Sequence, residues 1–304
     1  MSEYLNTEKP FLTQLQQLGW TVTNQPAGIP TDPAKSERST FREVTLKAIF
    51  KQTVRAINTT DNGQPWLTDA QLETVYDEVT SHSRKSLIEA NKSVWAMLLG
   101  KQKIIVDHNE LTGEQAIPVK LIDFAHPERN SFRAINQFRI DTPGMGKGFI
   151  IPDIVLFVNG LPLVVVECKV QNEFTSNPLD EAVKQLRRYS NQREETQLAG
   201  LKEGEESLFW FNQVTIATYG EKAYYGTITA SRNHYYEWKD IYPEQYKTFT
   251  PPLGQIRSQE TLIQGMLPPA TLLDVESTTE LKTKLATPSS NVVMVMIHKF
   301  QERT

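Results

Sequence analysis

The stretch Ile151-Pro-Asp-Ile-Val-Leu-Phe-Val-Asn-Gly-Leu-Pro-Leu-Val-Val-Val-Glu-Cys-Lys169 sets two apolar runs around Asn159-Gly160, with Asp153, Glu167 and Lys169 at their outer ends. Alternation is nearly absent within the runs, which predicts a hairpin of two strands buried on both faces. Charge in such strands is costly unless it is paired or bound to a metal. A two-residue loop at Asn159-Gly160 pairs Val158 with Leu161 and therefore Asp153 with Val166, which sends Asp153 and Glu167 to opposite faces. One extra residue in the loop, or a bulge, pairs Asp153 with Glu167 instead. Pro162 lacks an N–H and argues against an ideal two-residue turn. The slipped register is expected, because only it lets two carboxylates share a divalent cation with a lysine on the Glu167 face.

Outward from the hairpin, Phe11–Leu18 carries a short helical pattern, and apolar residues recur near helical spacing over 40–58. Further helices are expected from Thr68-Asp69 to about Ser81 and over Leu87–Leu99. Strands are expected at 103–107, 116–124 and 135–141, then again at 213–219 and 222–228. A helix should begin after Asn177, where an Asn cap, Pro178, Asp180 and Glu181 suit its first turn. Gln185 and Tyr189, four residues apart, share one face of it. Beyond about 230 the chain reads as an extended connector. The expected class is α/β, with a central mixed β-sheet flanked by helices and an N-terminal helical region. Expected divisions are 1–100 (N-terminal helical part), 101–232 (core), 233–276 (connector) and 277–304.

The 304 residues, 39% hydrophobic and 22% charged, suit a globular protein. No apolar run approaches a membrane span and no leader pattern is present, so no membrane partner is expected. The single cysteine, Cys168, excludes an internal disulfide framework and fits a reducing cytoplasm. Its side chain should point away from those of Glu167 and Lys169, leaving its carbonyl oxygen facing a metal. A formal charge of −4 counts mildly against strong autonomous DNA binding. The five histidines lack metal-ligand spacing and no G-x-S-x-G element occurs, which disfavours a zinc enzyme or a serine hydrolase. Gly144-Met-Gly-Lys-Gly148 precedes a strand instead of opening a helix, so it reads as a connection that touches DNA through Lys147.

On bare spacing, Asp153, Glu167 and Lys169 fit a salt bridge at a sheet rim as well as they fit a catalytic centre. Their context decides otherwise. Pro152-Asp153 followed by Glu167-Cys168-Lys169 resembles the PD-(D/E)xK nuclease superfamily. The longer string PDIVLFVNGLPLVVVECK is similar to the nuclease domain of type I restriction enzyme R subunits. Phe41-Arg-Glu43, KLIDFAHPERNSFRAINQF at 120–138, EAVKQLRRYS at 181–190 and PPLGQIRSQETLIQGML at 251–267 share that resemblance, which spans about residues 40–275.

The resemblance implies a restriction-endonuclease-like core and Mg²⁺-dependent cleavage of double-stranded DNA, with Mn²⁺ as a substitute ion. It makes Asp153, Glu167 and Lys169 the catalytic core and adds Gln185 and Tyr189 as a Q-x-x-x-Y element. Glu43 follows as an upstream helix acid. Asp153, Glu167 and the Cys168 carbonyl would be the metal ligands, and Arg187, Arg188 and Lys147 are candidate DNA contacts. Partners implied are the methylation and specificity subunits of a restriction-modification complex. Complete R subunits carry an ATP-driven motor opening on G-x-x-x-x-G-K-[ST]; that loop is missing here, so ATP binding is not expected. Residues 277–304 resemble sequence from further into such a motor. Two other readings stay open: a non-catalytic module docking on the partner subunits, and a repair or recombination nuclease on the same fold.

Overall fold

The computed structural model describes residues 3–26, 28–170, 177–193, 201–220, 222–239, 241 and 258–273. The helices are α1 (Lys9–Gln17), α2 (Lys47–Ile57), α3 (Asp69–Thr80), α4 (Leu87–Leu98), α5 (Pro178–Tyr189), α6 (Glu206–Trp210), α7 (Ser258–Met266) and α8 (Pro269–Leu272). The strands are β1 (Thr21–Thr23), β2 (Ile104–His108), β3 (Gln115–Val119), β4 (Phe132–Asn136), β5 (Ile140–Asp141), β6 (Phe149–Ile150), β7 (Ile154–Val158), β8 (Leu161–Lys169), β9 (Val214–Tyr219) and β10 (Lys222–Gly226). The central sheet runs β1-β4-β7-β8-β9-β10, and β2-β3 and β5-β6 form separate pairs. β1 lies parallel to β4 and β8 parallel to β9, while the other neighbours are antiparallel. This is the mixed sheet flanked by helices that a restriction-endonuclease-like core requires.

Two devices set the hairpin register. Asn159 and Gly160 both take positive φ, +49° and +78°, which is the backbone of the tight turn favoured between right-twisted strands. The turn is buried: Asn159 bonds Leu121 O and Asn130 Oδ1, and the Gly160 carbonyl accepts the Leu46 N–H at 2.8 Å. A Cβ at Gly160 would lie 2.5 Å from Leu46 O and 2.8 Å from Phe50 N. The second device is a bulge. Val158 pairs with Leu161 and Phe157 with Pro162, but Leu156 pairs with Val164, which leaves Leu163 extra. Pro162 stands where a missing N–H costs least, and the Leu163 carbonyl accepts the Gln213 N–H at 2.7 Å. Turn and slip therefore coexist, and Ile154 opposite Val166 puts Asp153 across from Glu167.

Helix caps follow the chain chemistry. Thr68 with Gln71 and Ser86 with Glu89 form reciprocal capping boxes at α3 and α4. Asn177 caps α5 through the Asp180 N–H, with Pro178 in the first turn.

Four expectations need correction. Phe41-Arg-Glu43 lies in a turn: helix α2 starts only at Lys47, and the apolar spacing before it belongs to an irregular segment. Residues 1–100 are not solely helical, because Thr21–Thr23 forms an edge strand on β4. Of the strands expected between 103 and 141, only β4 joins the central sheet. Residues 233–276 are not simply a connector, since α7 buries Leu262, Ile263 and Met266 in the core. The Trp20 indole N–H donates to Leu267 O at 2.8 Å, and Gln259 bonds Thr218 Oγ1 at 2.9 Å. Residues 277–304 lie outside the described residues. Among the described residues no helix is long and apolar enough to cross a membrane.

Candidate nuclease site

The outer end of the β7–β8 hairpin gathers the expected charges. Asp153 leaves β7 toward β8, and its Oδ2 accepts the Cys168 N–H at 2.7 Å. Lys169 Nζ donates to Glu167 Oε1 at 2.5 Å and to Cys168 O at 3.0 Å. Glu167 is fully buried, yet its Oε2 has no hydrogen-bond partner among the described residues. A buried carboxylate oxygen without a donor is expensive when ionised, which leaves it suited to a cationic ligand. Cys168 turns its thiol into the core, as alternation requires.

The electrostatics follow from burial and crowding. Burial, then the neighbouring Glu167, holds the Asp153 carboxyl well above the usual carboxylate range despite Lys169 and the Cys168 N–H. Burial likewise pushes Glu167 up to about 7, against the pull of Lys169. Burial opposes the Lys169 ammonium, but Glu167 and Asp153 outweigh it and keep its pKa above the ordinary lysine range. Near neutrality the centre is a cation facing two acids reluctant to ionise together.

Helix α5 supplies the next layer. Gln185 Nε2 donates to Tyr189 Oη at 2.5 Å, and Tyr189 Oη donates to Ile151 O at 2.9 Å, two residues before Asp153. Burial, Glu167 and Asp153 all raise the Tyr189 phenol well above its ordinary value. A cavity of about 450 Å³ opens beside this pair, and Lys147 and Arg188 line it.

Residues 1–234 match the family model of the type I restriction enzyme R protein N terminus. This chain belongs to that family. It is 30% identical over 268 residues to the type I restriction enzyme HindI endonuclease subunit of Haemophilus influenzae, covering 88% of this chain and 23% of that protein. It is 25% identical over 242 residues to the putative type I restriction enzyme MjaIXP endonuclease subunit of Methanocaldococcus jannaschii, covering 79% and 21%. The chain thus spans less than a quarter of the length of these relatives. A role in a restriction system follows from the family.

Within this R-subunit fold the expected site residues divide. Asp153, Glu167, Lys169 and the Cys168 backbone converge, and Gln185 and Tyr189 stand beside them. Lys147 and Arg188 reach the adjoining cavity. Arg187 does not: its Nη1 donates to Thr229 O and Ala230 O, fastening α5 to the turn after β10. Glu43 is not brought to the centre by any contact among the described residues. Its Oε2 accepts the Ser39 and Thr40 N–H groups at 2.7 and 3.3 Å, which makes it a local turn cap.

Sequence reading missed two acids on the N-terminal π-helical turn Tyr4–Glu8 and just before it. Glu3 accepts the Val170 N–H and interacts with Lys169, while burial raises its pKa. Glu8 is buried, and it accepts from Asn136 Nδ2 at 2.6 Å and from Gln137 Nε2 at 3.1 Å. No local pattern marks either one. The turn is anchored by Thr7 Oγ1, which donates to Lys169 O across 162 positions.

The donor set fits a hard divalent ion. Among the described residues no group of three or more His, Cys, Asp or Glu side chains is placed to hold a metal. Two carboxylates, one with a free buried oxygen, and a main-chain carbonyl are oxygen ligands of the kind Mg²⁺ takes alongside several waters.

Proposed function

We propose that this chain is the Mg²⁺-dependent DNA endonuclease module of a type I restriction-modification R subunit, a type I site-specific deoxyribonuclease hydrolysing DNA phosphodiesters. The observation carrying the reading is Glu167 Oε2, buried beside Asp153 and Lys169 with no hydrogen-bond partner among the described residues. Asp153, Glu167 and the Cys168 carbonyl would hold Mg²⁺, with Mn²⁺ as a substitute. When bound, the ion supplies Lewis-acid polarisation of the phosphodiester and eases deprotonation of water.

The protein's own groups do the rest. Lys169 stays cationic, which suits it to neutralising charge that builds on the phosphate better than to accepting a proton. The Cys168 carbonyl that would help hold the ion is the same oxygen that accepts the Lys169 ammonium at 3.0 Å, which keeps that cation beside the acids. Gln185 and Tyr189 hold Ile151, and so fix where β7 delivers Asp153. Burial of both acids keeps bulk water from competing for the ion.

Double-stranded DNA is the proposed substrate, and the methylation and specificity subunits are the proposed partners in the cytoplasm. Asp153→Ala, Glu167→Ala and Lys169→Ala should each abolish nicking of plasmid DNA while the circular dichroism spectrum is kept. Equal nicking by the purified triple variant and the parent would end the assignment. Calorimetry adds an independent reading, since a Mn²⁺ or Mg²⁺ heat should vanish in Glu167→Ala. Co-purification with the partner subunits in the absence of any metal heat would favour a docking module instead.

A further inference from the structure

The cavity beside Gln185 and Tyr189 is lined by Arg188, which shares one acid with Arg193. Glu203, 9% exposed, contacts Arg193 Nη2 through its Oε2, with Arg188 Nε at 3.7 Å from the same oxygen. This ion pair is not what holds its segment in place. Asn191 Oδ1 accepts the Glu203 and Gly204 N–H groups at 3.0 and 2.8 Å. The Glu205 N–H reaches Tyr189 O at 2.9 Å, and Lys202 O accepts the Gly146 N–H at 3.0 Å. A Cβ at Gly204 would sit 1.9 Å from Tyr189 O, so the backbone there is pressed onto the end of α5. With four main-chain attachments, the segment needs no carboxylate at 203 to stay seated.

The arginines, for their part, have donors to spare. Nε of Arg188 and Nε of Arg193 are buried without a hydrogen-bond partner among the described residues. A guanidinium presents five donors in a planar fork suited to phosphate, and one carboxylate oxygen uses few of them. Arg188 also lines the cavity shared with Lys147, Gln185 and Tyr189, and its charge is felt at Glu167. Lys147 and Arg188 therefore face one cavity, and Arg193 joins them through the acid it shares with Arg188. An extended polyanion with a repeating phosphate has the chemistry to span these cations.

We propose that Arg188, Arg193 and Lys147 form a second backbone-phosphate site for DNA next to the cleavage centre, and that Glu203 is its resident anion, displaced when DNA binds. The proposal rests on the nuclease reading for its ligand, but it concerns binding and is tested without cleavage. The probe is a fluorescein-labelled 20-base-pair duplex titrated by anisotropy in EDTA at several salt concentrations.

Glu203→Gln should bind this duplex about 5–10-fold more tightly than the parent, with a log–log salt slope steeper by about one counterion. Glu206→Gln, the same charge change a few residues away, should shift affinity less than twofold. Arg193→Gln added to Glu203→Gln should erase the gain, and Lys147→Gln alone should weaken binding about threefold. Parent-like affinity and slope in a folded Glu203→Gln protein would overturn the proposal, as would equal gains from Glu203→Gln and Glu206→Gln. Should Glu203→Gln not fold, an unchanged affinity for Lys147→Gln would refute the site by itself. Loss of metal heat or nicking, by contrast, bears only on the nuclease reading.

Discussion

Replacing Glu167 by glutamine should stabilise the metal-free protein, and only at high pH. Burial raises the Glu167 pKa from the ordinary 4.5 to about 7. The folded protein therefore binds this proton more tightly than the unfolded chain does. Its contribution is fully present below about 4.5 and is lost as pH rises through about 7. At about 1.4 kcal/mol per pH unit, the rise amounts to about 3 kcal/mol of stability lost by pH 8. Glutamine keeps the shape of the neutral acid at every pH and escapes that loss.

Urea unfolding in EDTA at pH 4.5 and pH 8 provides the assay. Parent and Glu167→Gln should match at the lower pH, and the variant should lead by about 2–3 kcal/mol at the higher one. Asp153 and Glu167 titrate as a pair, so Asp153→Asn should remove part of the same slope. Mg²⁺ should then raise the stability of the parent and leave Glu167→Gln unmoved, through mass action on the folded state. A parent-to-variant difference that is identical at both pH values would refute the reasoning. The acid would then be ionised as easily in the fold as in water.

Two further perturbations probe the scaffold. Gly160→Ala combines a positive φ with a Cβ 2.5 Å from Leu46 O, and should cost about 3 kcal/mol or more in denaturant unfolding. A cost under about 1 kcal/mol would mean the turn does not press on α2 as described. Leu262→Ala, at full burial in α7, should cost about 2–5 kcal/mol. A near-neutral result would show that this helix is not part of the folded core.

The hairpin was legible because its constraints are local. Apolar runs, an Asn-Gly turn and the burial cost of Asp153 and Glu167 leave two registers, and the need to pair charge selects one. Pro162 argues against a two-residue turn, yet that turn forms, because the proline sits at the bulge beside Leu163. The α5 cap was also legible, since Asn177 and Pro178 act within a single turn. Glu43 was misread because its spacing to Phe41 and Val44 mimics a helix that the backbone does not form before Lys47. Glu3 and Glu8 escaped notice for the opposite reason. Their partners Val170, Asn136 and Gln137 lie more than 100 positions away, and nothing near an acid in sequence announces a partner that distant.

That same distance bears on what the nuclease fold includes. The family match ends at residue 234, yet the end of β8 is braced from beyond it. Thr7 Oγ1 donates to Lys169 O and accepts the Gly220 N–H, while Gln259 on α7 donates to Thr7 O and to Thr218 Oγ1. Leu267 in turn accepts the Trp20 indole N–H just past α1. The Tyr4–Glu8 turn thus lies between the end of β8 and a helix in the stretch that the sequence reads as a connector. Removing α7 would take away the partner that seats this turn, together with the buried Leu262, Ile263 and Met266, and expose the core surface those side chains cover. The turn carries Glu8, whose charge acts on Cys168, and follows directly from Glu3, whose charge acts on Asp153, Glu167 and Cys168. Positioning at the centre is therefore shared between the family-matched region and residues 258–273.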